Sequence, residues 1–176
     1  VRSLDLNPFT EHGANGEAMA FLDSLLLYCL FSESPDITPA SKSEYTRNLQ
    51  LVVNRGREPN LPLSENGNEL TLRELGLQVI EQVRPFAALL DTAYADSRFS
   101  QALEFQAEKF RDAEKTPSAQ LLAAVSGQQL SFFGYARELS KKHKAELLAE
   151  PLPAERQGLF QQWAQKSLDE QQKLEA

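Results

Sequence analysis

Arg2 is the residue whose type and spacing point most directly to chemistry. It stands in an alternating run, with Leu4 and Leu6 on its side and Val1, Ser3 and Asp5 on the other. Period-two alternation marks a strand. A guanidinium carried on such a face offers a planar fork of donors that matches phosphate or carboxylate oxygens. The plainer reading is a salt bridge, and residue chemistry alone leaves both open.

The other reactive side chains carry less. His12 and His143 have no ligand spacing to any other metal-binding residue, which argues against a zinc site. Cys29 sits between Tyr28 and Leu30 in the most apolar stretch. A buried structural thiol is expected there, since reactive thiols need polar, electropositive surroundings. Gly13 and Gly16 lack the lysine and the strand–loop–helix frame of a phosphate loop. No serine stands in a nucleophile-elbow pattern. The run Lys141, Lys142, His143, Lys144 falls towards the C-terminal half of a helix, where cations complement the helix dipole and face solvent. Arg55 and Arg57 flank Gly56 just past another helix end and read the same way. Trp163 and the phenylalanines recur at helical spacing, as core residues do.

The elements that would position these residues are nearly all helices. The run at residues 1–6 is the single convincing strand, ended by Asn7 and Pro8. Residues 18–31 form a helix that is apolar nearly all round, hence buried on most sides. A second helix covers residues 44–54 and ends near Gly56. Residues 58–70, with Pro59, Pro62, Asn66, Gly67 and Asn68, read as a long irregular connection. Thr71-x-x-Glu74 is a capping box. It opens a third helix with Leu72, Leu75, Val79, Ile80 and Val83 on one face, kinked or broken at Pro85 and resumed to Thr92. A fourth helix spans residues 98–114, with Phe99, Leu103, Gln106 and Phe110 on one face. Thr116-Pro117 starts a short one to Val125. Residues 129–149 and 154–174 form the last two, the latter with Leu159, Trp163 and Leu168 inward. A lone strand needs neighbours for its backbone groups. Partner strands outside this chain are therefore expected, unless residues 1–6 are an extended tail.

Composition sets the frame. The 176 residues are 41% hydrophobic and 24% charged, with a net charge of −7 and a pI of about 4.9. That suits a soluble globular lobe with one sizeable core. An acidic chain has no electrostatic reason to bind nucleic acid or an anionic membrane. A single cysteine excludes an intrachain disulfide. The longest apolar stretch falls short of the roughly 20 residues of a membrane-spanning helix, and no signal-peptide pattern is present. The chain opens inside a strand-like run and its one methionine is Met19. The natural protein is therefore expected to start further upstream, with a processed N-terminus as the alternative.

A longer match gives these residues a context. Residues 1–9, VRSLDLNPF, closely resemble a V-R-S-L-D-hydrophobic-N-P-F segment of the gammaproteobacterial glutamate–cysteine ligases. Phe21-Leu22-Asp23, Thr46-Arg47-Asn48 and Val52-Val53-x-x-Gly56-Arg57-x-Pro59-x-Leu61 come after it in the family's order. The likeness is good to about Leu63, with only a general helical pattern beyond.

The resemblance implies a mainly α chain. Its helical C-terminal lobe carries one N-terminal strand, which belongs to an antiparallel sheet of a larger α+β enzyme. Residues 1–9 would be the last strand and turn of the catalytic sheet, and residues 10–176 a single helical region. The implied reaction joins the γ-carboxylate of L-glutamate to the amine of L-cysteine with ATP and Mg2+, through a γ-glutamyl phosphate. Arg2 is the one residue carried over to catalysis, near the phosphate and substrate carboxylate. It stands two residues after a metal-binding glutamate that lies outside this chain, so no metal ligand is expected here. Asp5, Asn7 and Pro8 would hold the strand end and turn. The partner would be the N-terminal catalytic part of the same cytoplasmic enzyme, and the isolated chain is expected to be inactive. A split or nicked enzyme is one alternative. A free-standing helical interaction module is another, and it would have its own initiator near Val1.

Overall fold

The computed structural model describes residues 4–128 and 130–175. Among them are seven α-helices, one 3-10 turn and a two-stranded sheet: α1 Gly16–Phe31, α2 Pro39–Arg55, β1 Pro62–Glu65, β2 Asn68–Thr71, α3 Leu72–Tyr94, α4 Arg98–Arg111, the 3-10 turn Ala113–Lys115, α5 Pro117–Gln128, α6 Phe132–Ala149 and α7 Ala154–Glu175. The mainly helical class expected from the sequence is what the chain adopts. It divides into two compact units, Val1–Tyr135 and Ala136–Ala176.

The first unit is built on α1, α3 and α4. Ala20 of α1, Ile80, Val83 and Ala87 of α3, and Phe99, Ala102, Leu103 and Ala107 of α4 form its buried cluster. Small residues on all three helices let the backbones approach closely. At Gly76 a Cβ would stand 2.2 Å from the Phe110 ring, so α3 passes under α4 at a point with no room for a side chain.

Local signals start the helices. Thr71 Oγ1 accepts from Glu74 N–H at 3.1 Å, and Glu74 Oε2 accepts from Thr71 N–H at 2.8 Å, the reciprocal pairing of a capping box. Thr38 and Ser41 do the same for α2, with Pro39 at its first position. The proline inside α3 does not end it: α3 runs unbroken through Pro85. Pro85 and Glu81 both lie on the exposed side, where water can take the bond the proline cannot supply.

The connection at residues 58–70 is not irregular, a correction to the sequence reading. Pro62–Glu65 and Asn68–Thr71 pair antiparallel, Leu63 opposite Leu70. Asn66 and Gly67 turn between them with φ 53° and 79°, the two positive values of a type I′ turn. Leu61 and Leu63 anchor the hairpin, 1% and 5% exposed. From α2, Asn48 grips β1 with both ends of its amide: Nδ2 donates to Ser64 O at 2.6 Å and Oδ1 accepts from Ser64 N at 3.1 Å. One turn earlier, the Glu44 carboxylate accepts from the Ser64 hydroxyl and from Asn66 and Gly67 N–H. The Ser64 hydrogen bond leads in holding its carboxyl below the ordinary glutamate value.

The α3–α4 corner turns through Ala95, a non-glycine at φ 51°. Ser97 supplies no side-chain cap to α4. Asp91, from the last turn of α3, does so instead: its carboxylate accepts from Phe99 N at 2.9 Å and Ser100 N at 3.1 Å. Partial burial pushes this carboxyl up, but hydrogen bonds from the Ser100 side chain and the two N–H groups, with Arg98 nearby, outweigh it and hold it below the ordinary value. Asp91→Ala is expected to lower stability by about 1–2 kcal/mol. A depressed folded pKa means the contribution is complete above about pH 3.8, the ordinary aspartate value, and is lost as pH falls further. Urea unfolding of both forms at pH 7 and near pH 3 should show the difference shrinking at the lower pH.

In the second unit, α7 has no buried residue. Leu159, Trp163 and Leu168, expected to face inward, are all exposed. Their spacing is helical, but no element of that unit covers them. Phe160 and Trp163 pack against each other, ring centres 5.8 Å apart.

Candidate functional site

The segment singled out by the sequence is described from Leu4 onward; Arg2 and its neighbours at residues 1–3 lie outside the described residues. Residues 4–7 form no strand, and Leu4, Asp5 and Leu6 are exposed. Asn7 then organises a tightly bonded turn. Its Oδ1 accepts from Phe9 N at 3.0 Å and its carbonyl from Thr10 N at 3.2 Å, while its own N–H donates to Gly13 O at 2.7 Å. Gly13 is needed at the close of this turn. Its φ is +74°, and a Cβ there would come within 2.6 Å of Leu6 Cδ2. Asn15 then caps α1, accepting from Ala18 N at 2.9 Å. The segment is thus fixed directly onto the first core helix, Pro8 included in the turn.

The other chemistry-bearing residues stand apart from it. Cys29 is exposed on α1, not buried as expected, because α1 turns only one face to α3 and α4. Lys141 pairs with Glu138 at 2.8 Å, Lys142 with Glu146 at 3.7 Å, and His143 Nδ1 lies 3.3 Å from Glu146. These are helix-surface pairs of small individual weight. Arg55 pairs with Glu58 at 2.6 Å past the end of α2. A cleft of about 270 Å³ lies beside this turn, lined by Arg57, Leu61, Arg73 and Phe110 among others. The C-terminal ends of α2 and α4 and the first turn of α3 border it, and both basic and acidic side chains line it. Among the described residues, no three His, Cys, Asp or Glu stand together as a metal site, and no helix is long and apolar enough to cross a membrane.

Two features escaped sequence reasoning. The first is the hold of Asn48 and Glu44 on the hairpin, which ties the family-matching block at Thr46–Asn48 to β1. Asn66-Gly67 between Leu63 and Leu70 is the local signal that announces the hairpin. The second is the bare outer face of α1, which its all-round apolar character foreshadows.

Comparison with known proteins extends the likeness. A family model described as glutamate-cysteine ligase matches residues 1–52. The glutamate–cysteine ligase of Pseudomonas fluorescens strain Pf0-1 is 40% identical over 175 residues, covering 99% of this chain and 33% of that protein. The Bordetella parapertussis enzyme is 36% identical over 176 residues, again 33% of its length. The likeness therefore continues well past Leu63. Among solved structures, the 2.0 Å crystal structure of the Francisella tularensis glutamate–cysteine ligase in complex with AMP superposes with a TM-score of 0.85 at 22% identity. It covers 99% of this chain and 34% of that one, and at that identity it bears on the fold alone. Over nearly its whole length the chain is similar to curated glutamate–cysteine ligases, and it spans about a third of the length of those relatives.

Proposed function

We propose that this chain is the C-terminal part of a glutamate–cysteine ligase, whose whole polypeptide forms γ-glutamylcysteine from L-glutamate and L-cysteine at the expense of ATP in the cytoplasm. The observation that carries the reading is sequence identity of 36–40% to curated ligases across 99% of the chain. A carboxylate is a poor acyl donor. Phosphorylation to a γ-glutamyl phosphate gives the cysteine amine a leaving group to displace. Such a transfer depends on divalent cations and positioned positive charge. The AMP held by the Francisella enzyme supports an adenine nucleotide as cosubstrate.

Metal binding is assigned to the rest of the ligase, where the resemblance places a metal-binding glutamate two residues before Arg2. From this chain, Arg2 contributes a cation to the transferring phosphoryl group and the substrate carboxylate. Asn7 and Pro8 hold the turn that ties the segment to α1, with Asp5 beside it. Residues 1–9 then serve as the end of the catalytic sheet and residues 10–176 as its helical support.

The test compares two proteins. The full-length ligase carrying this sequence should release phosphate from ATP only when both L-glutamate and L-cysteine are present. The 176-residue chain alone should release none. Robust turnover by the chain alone contradicts its assignment as a support, and no turnover by the full-length protein contradicts the reaction.

A further inference from the structure

We propose that the outer face of α1, formed by Met19, Leu22, Leu26, Cys29 and Leu30, is the docking surface for the remaining two thirds of the ligase polypeptide. The choice of occupant rests on the function proposed above. The helix GEAMAFLDSLLLYCLF is apolar on nearly every side, with Glu17 and Asp23 its only charged residues, close to the composition of a helix enclosed all round. The fold uses one side only. Ala20 and Ser24 are buried, and Phe21, Leu25 and Tyr28 pack beside them on the α3–α4 core. Opposite, Met19, Leu26 and Leu30 are 51%, 49% and 74% exposed. Residues 19, 22, 26 and 29–30 recur at three- and four-residue intervals, so they form a second continuous stripe rather than scattered surface leucines.

The stripe borders a groove of about 390 Å³ that Leu26 and Leu30 share with Leu90 and Tyr94. Asp23 and Arg98 stand at its margin, and Arg98 lies over the Tyr94 ring at 5.4 Å. An apolar floor with a charged rim is the make-up of an interface core. Two observations select the occupant. The relatives match this chain over 99% of its length, yet the chain covers only a third of them, so most of such a polypeptide lies elsewhere. The family-matching segment that precedes α1 through the Asn7–Gly13 turn also bears exposed apolar side chains, Leu4 and Leu6, 42% and 81% exposed.

Cys29 reports on this face. N-ethylmaleimide labelling, with mass spectrometry of the Cys29 peptide, would compare the full-length ligase with the 176-residue chain. Cys29 is expected to label at least about tenfold more slowly in the full-length protein, as a thiol reached only by local opening does. Leu30→Glu should lower the unfolding midpoint of the full-length protein and leave that of the chain alone unchanged. Equal, fast labelling in both proteins overturns the proposal. Slow labelling already in the chain alone also overturns it, because the occupant is then its own second unit or a second copy; sedimentation tells those two apart. Ligase turnover is measured separately. Protection of Cys29 without turnover keeps the docking surface and removes the catalytic reading, and turnover with a reactive Cys29 does the reverse.

Discussion

Arg2→Ala in the full-length ligase is expected to lower kcat by about 10²- to 10³-fold, the usual effect of removing one donor aimed at developing charge. Charge is the reason. Phosphorylating a γ-carboxylate brings two anions together, and the transferring group spreads its charge over its oxygens. A guanidinium fixed beside those oxygens, the role proposed for Arg2, stabilises the transition state more than the ground state. Its loss should therefore fall on kcat and kcat/KM together, not on KM alone. Arg2→Lys keeps the charge and loses the two-pronged donor geometry, so it should recover only part of the rate. Steady-state phosphate release at saturating ATP, with glutamate varied, separates these outcomes. An unchanged rate in Arg2→Ala would reduce Arg2 to the simple salt-bridge residue that its side-chain chemistry also allows.

How legible each feature is in the sequence depends on how local its cause is. Thr71 and Glu74 carry the start of α3 within four residues, and Thr116-Pro117 does the same for α5. Both can be read directly. The hairpin has a local signal in Asn66-Gly67, but the flanking prolines suggest an irregular loop. Its fixing side chains, Asn48 and Glu44, lie 16 to 23 residues away, where no spacing rule reaches. Pro85 reads as a break because its effect in isolation is unfavourable. Within a 23-residue helix packed on a core, one lost bond on the wet side is tolerated. Periodicity finds the apolar stripes of α1 and α7 but cannot say what covers them. Burial depends on a partner, and an apolar stripe looks the same whether that partner is in the chain or outside it. That is why Cys29 and Trp163 are both expected inside. The candidate site is legible only through the VRSLDLNPF match. The groups that would complete it are expected from other parts of the enzyme, and Arg2 alone cannot specify a reaction.

Phe99→Ala is expected to destabilise the first unit by about 3–5 kcal/mol, among the largest single-residue costs available in this fold. Phe99 is 1% exposed at the meeting of α1, α3 and α4. Its ring lies 5.5 Å from that of Tyr94, with the Arg98 guanidinium 4.8 Å from its centre. The cost depends on whether neighbours can collapse into the space. Here they cannot do so easily. Ala20, Ala87, Ala102 and Ala107 supply much of the surrounding cluster, and alanines have no side-chain freedom with which to fill a void. Moving whole helices would disturb the close approach at Gly76 and Phe110. The cavity should therefore persist. Phe99→Leu, which keeps most of the volume, should cost roughly 1.5 kcal/mol or less. Trp163 provides the contrast. It is the larger residue, but it is 58% exposed, so Trp163→Ala in the 176-residue chain should stay within about 0.5 kcal/mol. Urea unfolding monitored by circular dichroism measures all three. If Phe99→Ala cost as little as Trp163→Ala, α1, α3 and α4 would not share a core, and the surface proposed on the far side of α1 would lose the scaffold that holds it.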